Sequence, residues 1–189
     1  MIVWLFVPVA YLIGSISSAI IICRLMRLPD PREQGSGNPG ATNVMRIGGK
    51  KAATITLLGD LLKGLLPVYI AGLMGASLEL LAVIGLAAFL GHLYPVFFKF
   101  KGGKGVATSI GVLLGFSWLL GFAFIVTWLL IYKLGKISSL SALCASFISP
   151  VYAWFIVGDT SIVSAAFIMM VFLLWRHKSN IKRLMNGEE

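Results

Sequence analysis

Phe98-Lys-Phe-Lys-Gly-Gly-Lys-Gly-Val-Ala-Thr-Ser109 interrupts a run of membrane-like sequence just before that run resumes, with three lysines and three glycines between Lys99 and Gly105. Gly102, Gly103 and Gly105 permit positive φ and close backbone approach, so successive N–H groups can converge on an anion while Lys104 supplies a point charge. A helix starting near Lys104 adds its N-terminal dipole to the same pull. The spacing is not that of a P-loop, and the alternative is a basic loop resting on lipid headgroups. The flanking sequence says what kind of chain carries the loop.

Hydrophobic residues make up 58% of the 189 positions and charged ones 12%, against about 45–50% and about 25% in soluble domains. The expectation is an all-α, polytopic transmembrane bundle, one integral membrane domain over residues 1–189. The net charge of +9 suits a nucleic-acid face or one side of a membrane, and its placement decides for the membrane. Cys23 and Cys144 lie in separate apolar runs and read as small hydrophobes, with no disulfide framework. No ligand cluster calls for a metal, and no cofactor is expected.

Residues 2–23 are long enough to cross about 30 Å of hydrocarbon. The start, Met1-Ile-Val-Trp, lacks a basic n-region, so this first span is expected to be retained. Residues 28–51 are rich in Gly, Pro, Asn and charge, and cannot lie against lipid with an unpaired backbone. They form an aqueous or interfacial loop with a short helix at 42–46. Spans follow at 52–74 and 78–97, parted by a turn at 75–78. Residues 106–132 would make about 40 Å of helix, long for one crossing and short for two. A hairpin turning near Ser117 keeps Lys133 and Lys136 on the side of the earlier basic loops, as the positive-inside rule asks. Two more spans, 138–157 and 160–175, divided by Gly158-Asp159, bring the expected total to seven, N-terminus outside and C-terminus cytoplasmic. The outer turns then carry only acids, Glu79 and Asp159. Within the 52–74 span, Asp60 and Lys63 share a helical face. They are read as an ion pair, either functional or a structural clasp that spares each charge unpaired burial.

Three polar stretches fall on the cytoplasmic side of this arrangement. The first, Gly35-Ser-Gly-Asn-Pro-Gly-Ala-Thr-Asn-Val-Met-Arg46, offers Ser36, Gly37, Asn38, Thr42, Asn43 and Arg46. The second offers Lys104, Thr108 and Ser109. In the third, Trp175-Arg-His-Lys-Ser-Asn-Ile-Lys-Arg183, His177 and Asn180 share a face if the last helix continues past the membrane. A plain basic anchor needs neither of them. Ser138 and Ser139, ahead of the sixth span, either cap a helix or add hydroxyls to the same surface. Two glycine-rich anion sites imply two phosphate groups.

Taken together, these stretches resemble the bacterial acyl-phosphate:glycerol-3-phosphate acyltransferase family of integral membrane enzymes. The likeness runs over essentially the whole chain: Gly35-Ser-Gly-Asn to Arg46, Gly91-His-Leu-Tyr-Pro with Phe100-Lys-Gly-Gly-Lys-Gly-Val-Ala-Thr108, and Arg176-His-x-x-Asn-Ile-x-Arg183. The resemblance implies acyl transfer from acyl phosphate to the 1-hydroxyl of glycerol 3-phosphate, releasing phosphate, in the inner membrane at the start of phospholipid synthesis. It implies Ser36 and Arg46 as an essential pair, Gly102, Gly103, Gly105 and Lys104 as the acyl-phosphate site, and His177 with Asn180 as essential tail positions. The family's tail glutamate corresponds to Glu189, with Glu188 adjacent.

An acyl phosphate is already activated, so orientation and charge neutralisation carry the reaction and no covalent step is required. Ser36 is a candidate nucleophile, although its Gly-Ser-Gly-Asn setting also suits phosphate binding or capping. The base is His177 or a substrate phosphate oxygen. Glycerolipid acyltransferases of the other large class pair a His with an Asp five positions on. His92 and His177 are followed there by Phe97 and Lys182, which excludes that mechanism. The rival from another class is a phosphate-ester transporter, whose polar residues would sit near the midplane. A membrane scaffold leaves the Gly and Asn pattern unexplained. Expected partners are acyl phosphate, glycerol 3-phosphate and the bilayer, with no nucleic acid.

Overall fold

A computed structural model describes residues 2–189, so Met1, at the head of the first expected span, lies outside the described residues. The described chain is helical throughout, with no strand. A 3₁₀ turn, Ile2–Leu5, leads into α1 (Phe6–Gly14) and α2 (Ser18–Leu25), which meet at a 44° bend. After the 26–40 loop come α3 (Ala41–Leu73), α4 (Leu78–Leu93), a 3₁₀ turn at Val96–Phe98 and α5 (Val106–Phe116). Then follow α6 (Trp118–Gly135), α7 (Ser138–Ile156), α8 (Thr160–Arg176) and α9 (Lys178–Met185).

Among the described residues, four helical segments, Ala41–Leu73, Leu78–Phe98, Trp118–Gly135 and Ser138–Ile156, are long and apolar enough to cross a membrane alone. The bent pairs α1 with α2 and α8 with α9 raise the number to as many as six. At about 1.5 Å per residue, α5 reaches only about half of a hydrocarbon core. Large side chains face outward, as at Leu73 (72% exposed) and Phe155 (81%), because lipid tails offer no penalty for apolar exposure. The protein is a multi-pass helical membrane protein.

The helices approach closely because glycines stand at their crossings. A Cβ on Gly64 would lie 2.3 Å from the Thr108 carbonyl oxygen, and one on Gly111 would lie 2.0 Å from that of Leu61. These contacts lock α5 onto α3. Around them Ile84, Phe89, Leu93, Leu113, Leu120 and Phe124 form the fully buried core.

Ser117 breaks the 106–132 stretch in extended backbone (φ −161°, ψ 129°). Gly121 packs so tightly on Leu114 that a Cβ there would be 2.3 Å from the leucine Cγ. Residues seven apart in a straight helix stand about 10 Å apart along its axis, so the chain doubles back, as the charge argument expects. The short helix expected at 42–46 is the first turns of α3, set off from the rest by non-helical Gly49 (φ 74°, ψ −171°). The tail differs from expectation: α9 turns 61° away from α8 at His177 instead of continuing it.

Candidate active site

Asn43 builds the first wall. Its side-chain oxygen accepts from the Ser36 N–H (2.9 Å) while its amide donates to the carbonyls of Pro31 (2.8 Å) and Gln34 (2.9 Å). Gly35 and Gly37 take φ of 62° and 69° to make the turn around it. Expected as a substrate ligand, Asn43 is 1% exposed and spends its bonding capacity holding the loop. Ser36, Thr42 and Arg46 are exposed and Asn38 half-buried, so Ser36 and Arg46 remain available to a ligand.

The second wall is the 101–105 loop, and each glycine in it has its own physical reason. Only Gly105 uses positive φ (94°), and its Cβ would meet the Phe89 ring at 2.4 Å. A Cβ at Gly102 would strike the His92 carbonyl at 2.1 Å, and one at Gly103 the His92 ring nitrogen Nε2 at 2.3 Å. Close packing on the end of α4, more than backbone freedom, selects glycine at 102 and 103. On the other side Arg176 donates from Nη2 to the Gly102 carbonyl (2.8 Å) and from Nε to that of Gly103 (3.2 Å). Helix α5 begins at Val106 rather than Lys104. Thr108 and Ser109, read as ligand-binding, are buried: Thr108 donates to the Asp60 carbonyl (3.0 Å), and Ser109 to those of Gly105 and Val106.

The tail closes the site. Asn180 accepts from Lys104 Nζ and donates to Glu189 Oε1 (2.8 Å), which also accepts from Arg183 Nε (2.8 Å). Ser139 donates to the other oxygen of Glu189, and the N-cap of α7 is Ile137, so Ser139 bonds the tail and does not cap the helix. His177 Nδ1 contacts the Leu173 carbonyl at 2.8 Å. Since a carbonyl only accepts, the proton sits on Nδ1 and Nε2 carries the lone pair. Gly35, Ser36 and Arg46 share a cleft of about 370 Å³ with Arg183, Glu188 and Glu189.

Positive charge gathers around this cleft. Burial, then Arg183, push the Lys104 ammonium below its usual range, with Arg176 and Arg46 adding and Glu189 opposing. Burial likewise depresses His177 to about 4, helped by Lys104 and Arg176 and opposed by the Leu173 carbonyl and Glu189. Burial works against ionising Glu189, yet hydrogen bonds from Ser139, Arg183 and Asn180 hold its carboxyl below the usual range. The cleft itself is lined by two cations, Arg46 and Arg183, and two carboxylates, Glu188 and Glu189; Lys104 and Arg176 lie close enough for these cations to act on one another, and the positive charge they add favours an incoming phosphate.

Arg176, the clamp on the glycine loop, carries no site signal of its own in the sequence, because a lone arginine at a span's end also fits the positive-inside pattern. Beneath the loop, Lys63 contacts Asp60 (2.8 Å) and donates to the Ile16 carbonyl (2.7 Å) at the break between α1 and α2. The pair is therefore a buried clasp that also satisfies broken backbone.

A polytopic helical bundle whose polar cleft is built from loops and helix ends, with cations from three segments gathered around it, defines a membrane protein with a site suited to an anionic ligand. Residues 4–187 match the sequence model of the family described as "Glycerol-3-phosphate acyltransferase". The glycerol-3-phosphate acyltransferase of Methylococcus capsulatus is 58% identical over 186 residues, covering 98% of this chain and 94% of that one. That of Thioalkalivibrio sulfidiphilus is 55% identical over 180 residues, covering 95% and 89%. The crystal structure of PlsY (YgiH), an integral membrane glycerol 3-phosphate acyltransferase, in its glycerol 3-phosphate form superposes with a TM-score of 0.95 at 37% identity, over 100% of this chain and 94% of that one. Its lysophosphatidic acid form gives 0.90, also at 37%, over 98% and 93%. The chain belongs to the glycerol-3-phosphate acyltransferase family.

Proposed function

We propose that this protein transfers a fatty acyl group from acyl phosphate to the 1-hydroxyl of glycerol 3-phosphate, giving 1-acyl-glycerol-3-phosphate and phosphate. It works as a seven-span protein of the cell inner membrane, N-terminus outside, with α5 as the short span and the site on the cytoplasmic side. The observation that carries this proposal is the joining of Lys104 to Asn180, beside a cleft shared by Arg46 and Arg183: two cationic walls meet, one for each phosphate. PlsY, the structural relative, is described in glycerol 3-phosphate and lysophosphatidic acid forms, which agrees with that substrate and product.

In the reaction the 1-hydroxyl oxygen attacks the acyl carbonyl carbon. The carbon–oxygen bond to phosphate breaks, and the phosphate leaves with its electron pair. Lys104 neutralises the leaving group, while Arg46 and Arg183 hold glycerol 3-phosphate. The hydroxyl proton passes to a phosphate oxygen. Held near 4, His177 is a weak base in the unliganded protein, and its Nε2 lone pair serves as a hydrogen-bond acceptor that orients the glycerol hydroxyl. Ser36, backed by Asn43 through its N–H, contributes a phosphate-binding hydroxyl, and no acyl-enzyme is needed.

Detergent-purified protein should consume acyl phosphate in the presence of glycerol 3-phosphate and leave acyl-CoA untouched. Turnover with acyl-CoA, or none with either donor in folded protein, would overturn the proposal.

A further inference from the structure

His92 takes no part in the chemistry above, yet it touches the glycine loop from below with both its backbone and its ring. Its carbonyl accepts from the Gly103 N–H at 3.2 Å. Its side chain is 6% exposed, and its Nδ1 lies 3.7 Å from Asp60 Oδ1, beyond hydrogen-bond reach. Neither of those two atoms has a well-angled hydrogen-bond partner. The ring is therefore held by packing and by the charge of the Asp60–Lys63 pair. From above, Arg176 grips the two carbonyls of the same loop. Gly103 is thus sandwiched between the His92 imidazole and the Arg176 guanidinium, while Gly102 lies against the backbone carbonyls of His92 and Leu93, and Lys104 follows directly.

We propose that His92 is a positioning residue: its imidazole is the floor on which Gly103 rests, and the thickness of that sandwich sets where the Lys104 ammonium stands relative to Asn180. Glycine at 103 is then required by His92 rather than by the ligand. Gly102 differs, because the atoms that forbid a Cβ there belong to the His92 and Leu93 backbone, at 2.1 and 2.6 Å, and persist whatever side chain position 92 carries. At Gly103 the two closest atoms belong to the His92 ring, and once they are gone the nearest contact is the Pro39 carbonyl oxygen at 3.2 Å, tight but tolerable with a small shift.

The inference rests on the assignment of Lys104 to the acyl-donor phosphate, and the test separates the two. Steady-state kinetics, varying both substrates, are measured on full-length, monodisperse protein carrying His92→Ala, Gly103→Ala, Gly102→Ala and the two doubles with His92→Ala. Gly103→Ala should lose about tenfold or more in kcat/KM for the donor, and His92→Ala in the same protein should recover most of that loss; Gly102→Ala should not be rescued. His92→Ala alone should raise the donor KM about fivefold with kcat and the glycerol 3-phosphate KM within about twofold. Should His92→Ala fail to fold, His92→Ser serves in the same cycle. Losses that multiply in the Gly103 double, or a His92 variant that lowers only kcat, would overturn the proposal. If the rescue pattern holds but the KM shift falls on glycerol 3-phosphate, His92 remains the floor and it is the substrate assignment of Lys104 that fails.

Discussion

Replacing Asn43 by alanine removes one side chain and three hydrogen bonds that together set the path of the 31–40 loop. Each such bond contributes about 1 kcal/mol net, and more where a buried partner is left without water. Pro31 is buried whereas Gln34 and Ser36 are exposed, so two of the three stranded groups regain solvent. The expected cost is about 2–4 kcal/mol, confined to the loop, which lowers the population of its ordered form by about 30- to 1,000-fold relative to alternatives. The helices do not depend on these bonds, so the global melting temperature in detergent should move by only a few degrees. Hydrogen exchange of residues 31–40 should accelerate, and activity should fall with it. Asn43→Asp should do no better, because it keeps the acceptor for Ser36 but turns an oxygen toward two carbonyls. If activity collapses while exchange in the loop stays at the parental rate, Asn43 touches substrate directly and the positioning role is wrong. Full activity in Asn43→Ala would refute it as well.

Asn180→Ala deletes the group that joins Lys104 to Glu189 without changing charge, and should cost about 100-fold in kcat/KM in a membrane-inserted protein; near-normal turnover would make α9 a mere anchor. His177 should make stability depend on pH. Its folded value near 4 lies below the usual imidazole value, so the unfolded chain binds the extra proton, and stability is full above about pH 6.5 and declines as pH falls toward about 4. His177→Gln should flatten thermal stability across that window; an unchanged profile would place the dependence elsewhere. Single cysteines at Gln34, Lys101 and Asn186, in a protein lacking Cys23 and Cys144, should resist impermeant thiol reagents in sealed cells and react after permeabilisation. Labelling of any one from outside would break the seven-span orientation.

The class of protein and the ingredients of its site are legible in the sequence because composition, apolar run length and charge placement are local or additive properties. The doubling back at Ser117 could be expected for that reason: charge bookkeeping across the bilayer constrains topology without any knowledge of packing. The meeting of Asp60 with Lys63 follows equally from helical periodicity. Tertiary structure alone decided how the polar residues divide their work. Asn43, Thr108 and Ser109 have the same hydrogen-bonding groups as Ser36 and Asn180. What each of them bonds depends on burial created by other helices: the first three are turned inward onto protein carbonyls, Asn180, also buried, joins Lys104 to Glu189, and the Ser36 side chain stays exposed. Gly102 and Gly103 look in sequence like a backbone shaped for an anion. Their Cβ positions are instead filled by the end of α4, a contact between elements that no local pattern encodes. The 61° turn at His177 is likewise a tertiary outcome: Trp175 to Arg183 has nothing to break a helix, and the turn accompanies the bonds by which Asn180 joins Lys104 on one side and Glu189 on the other.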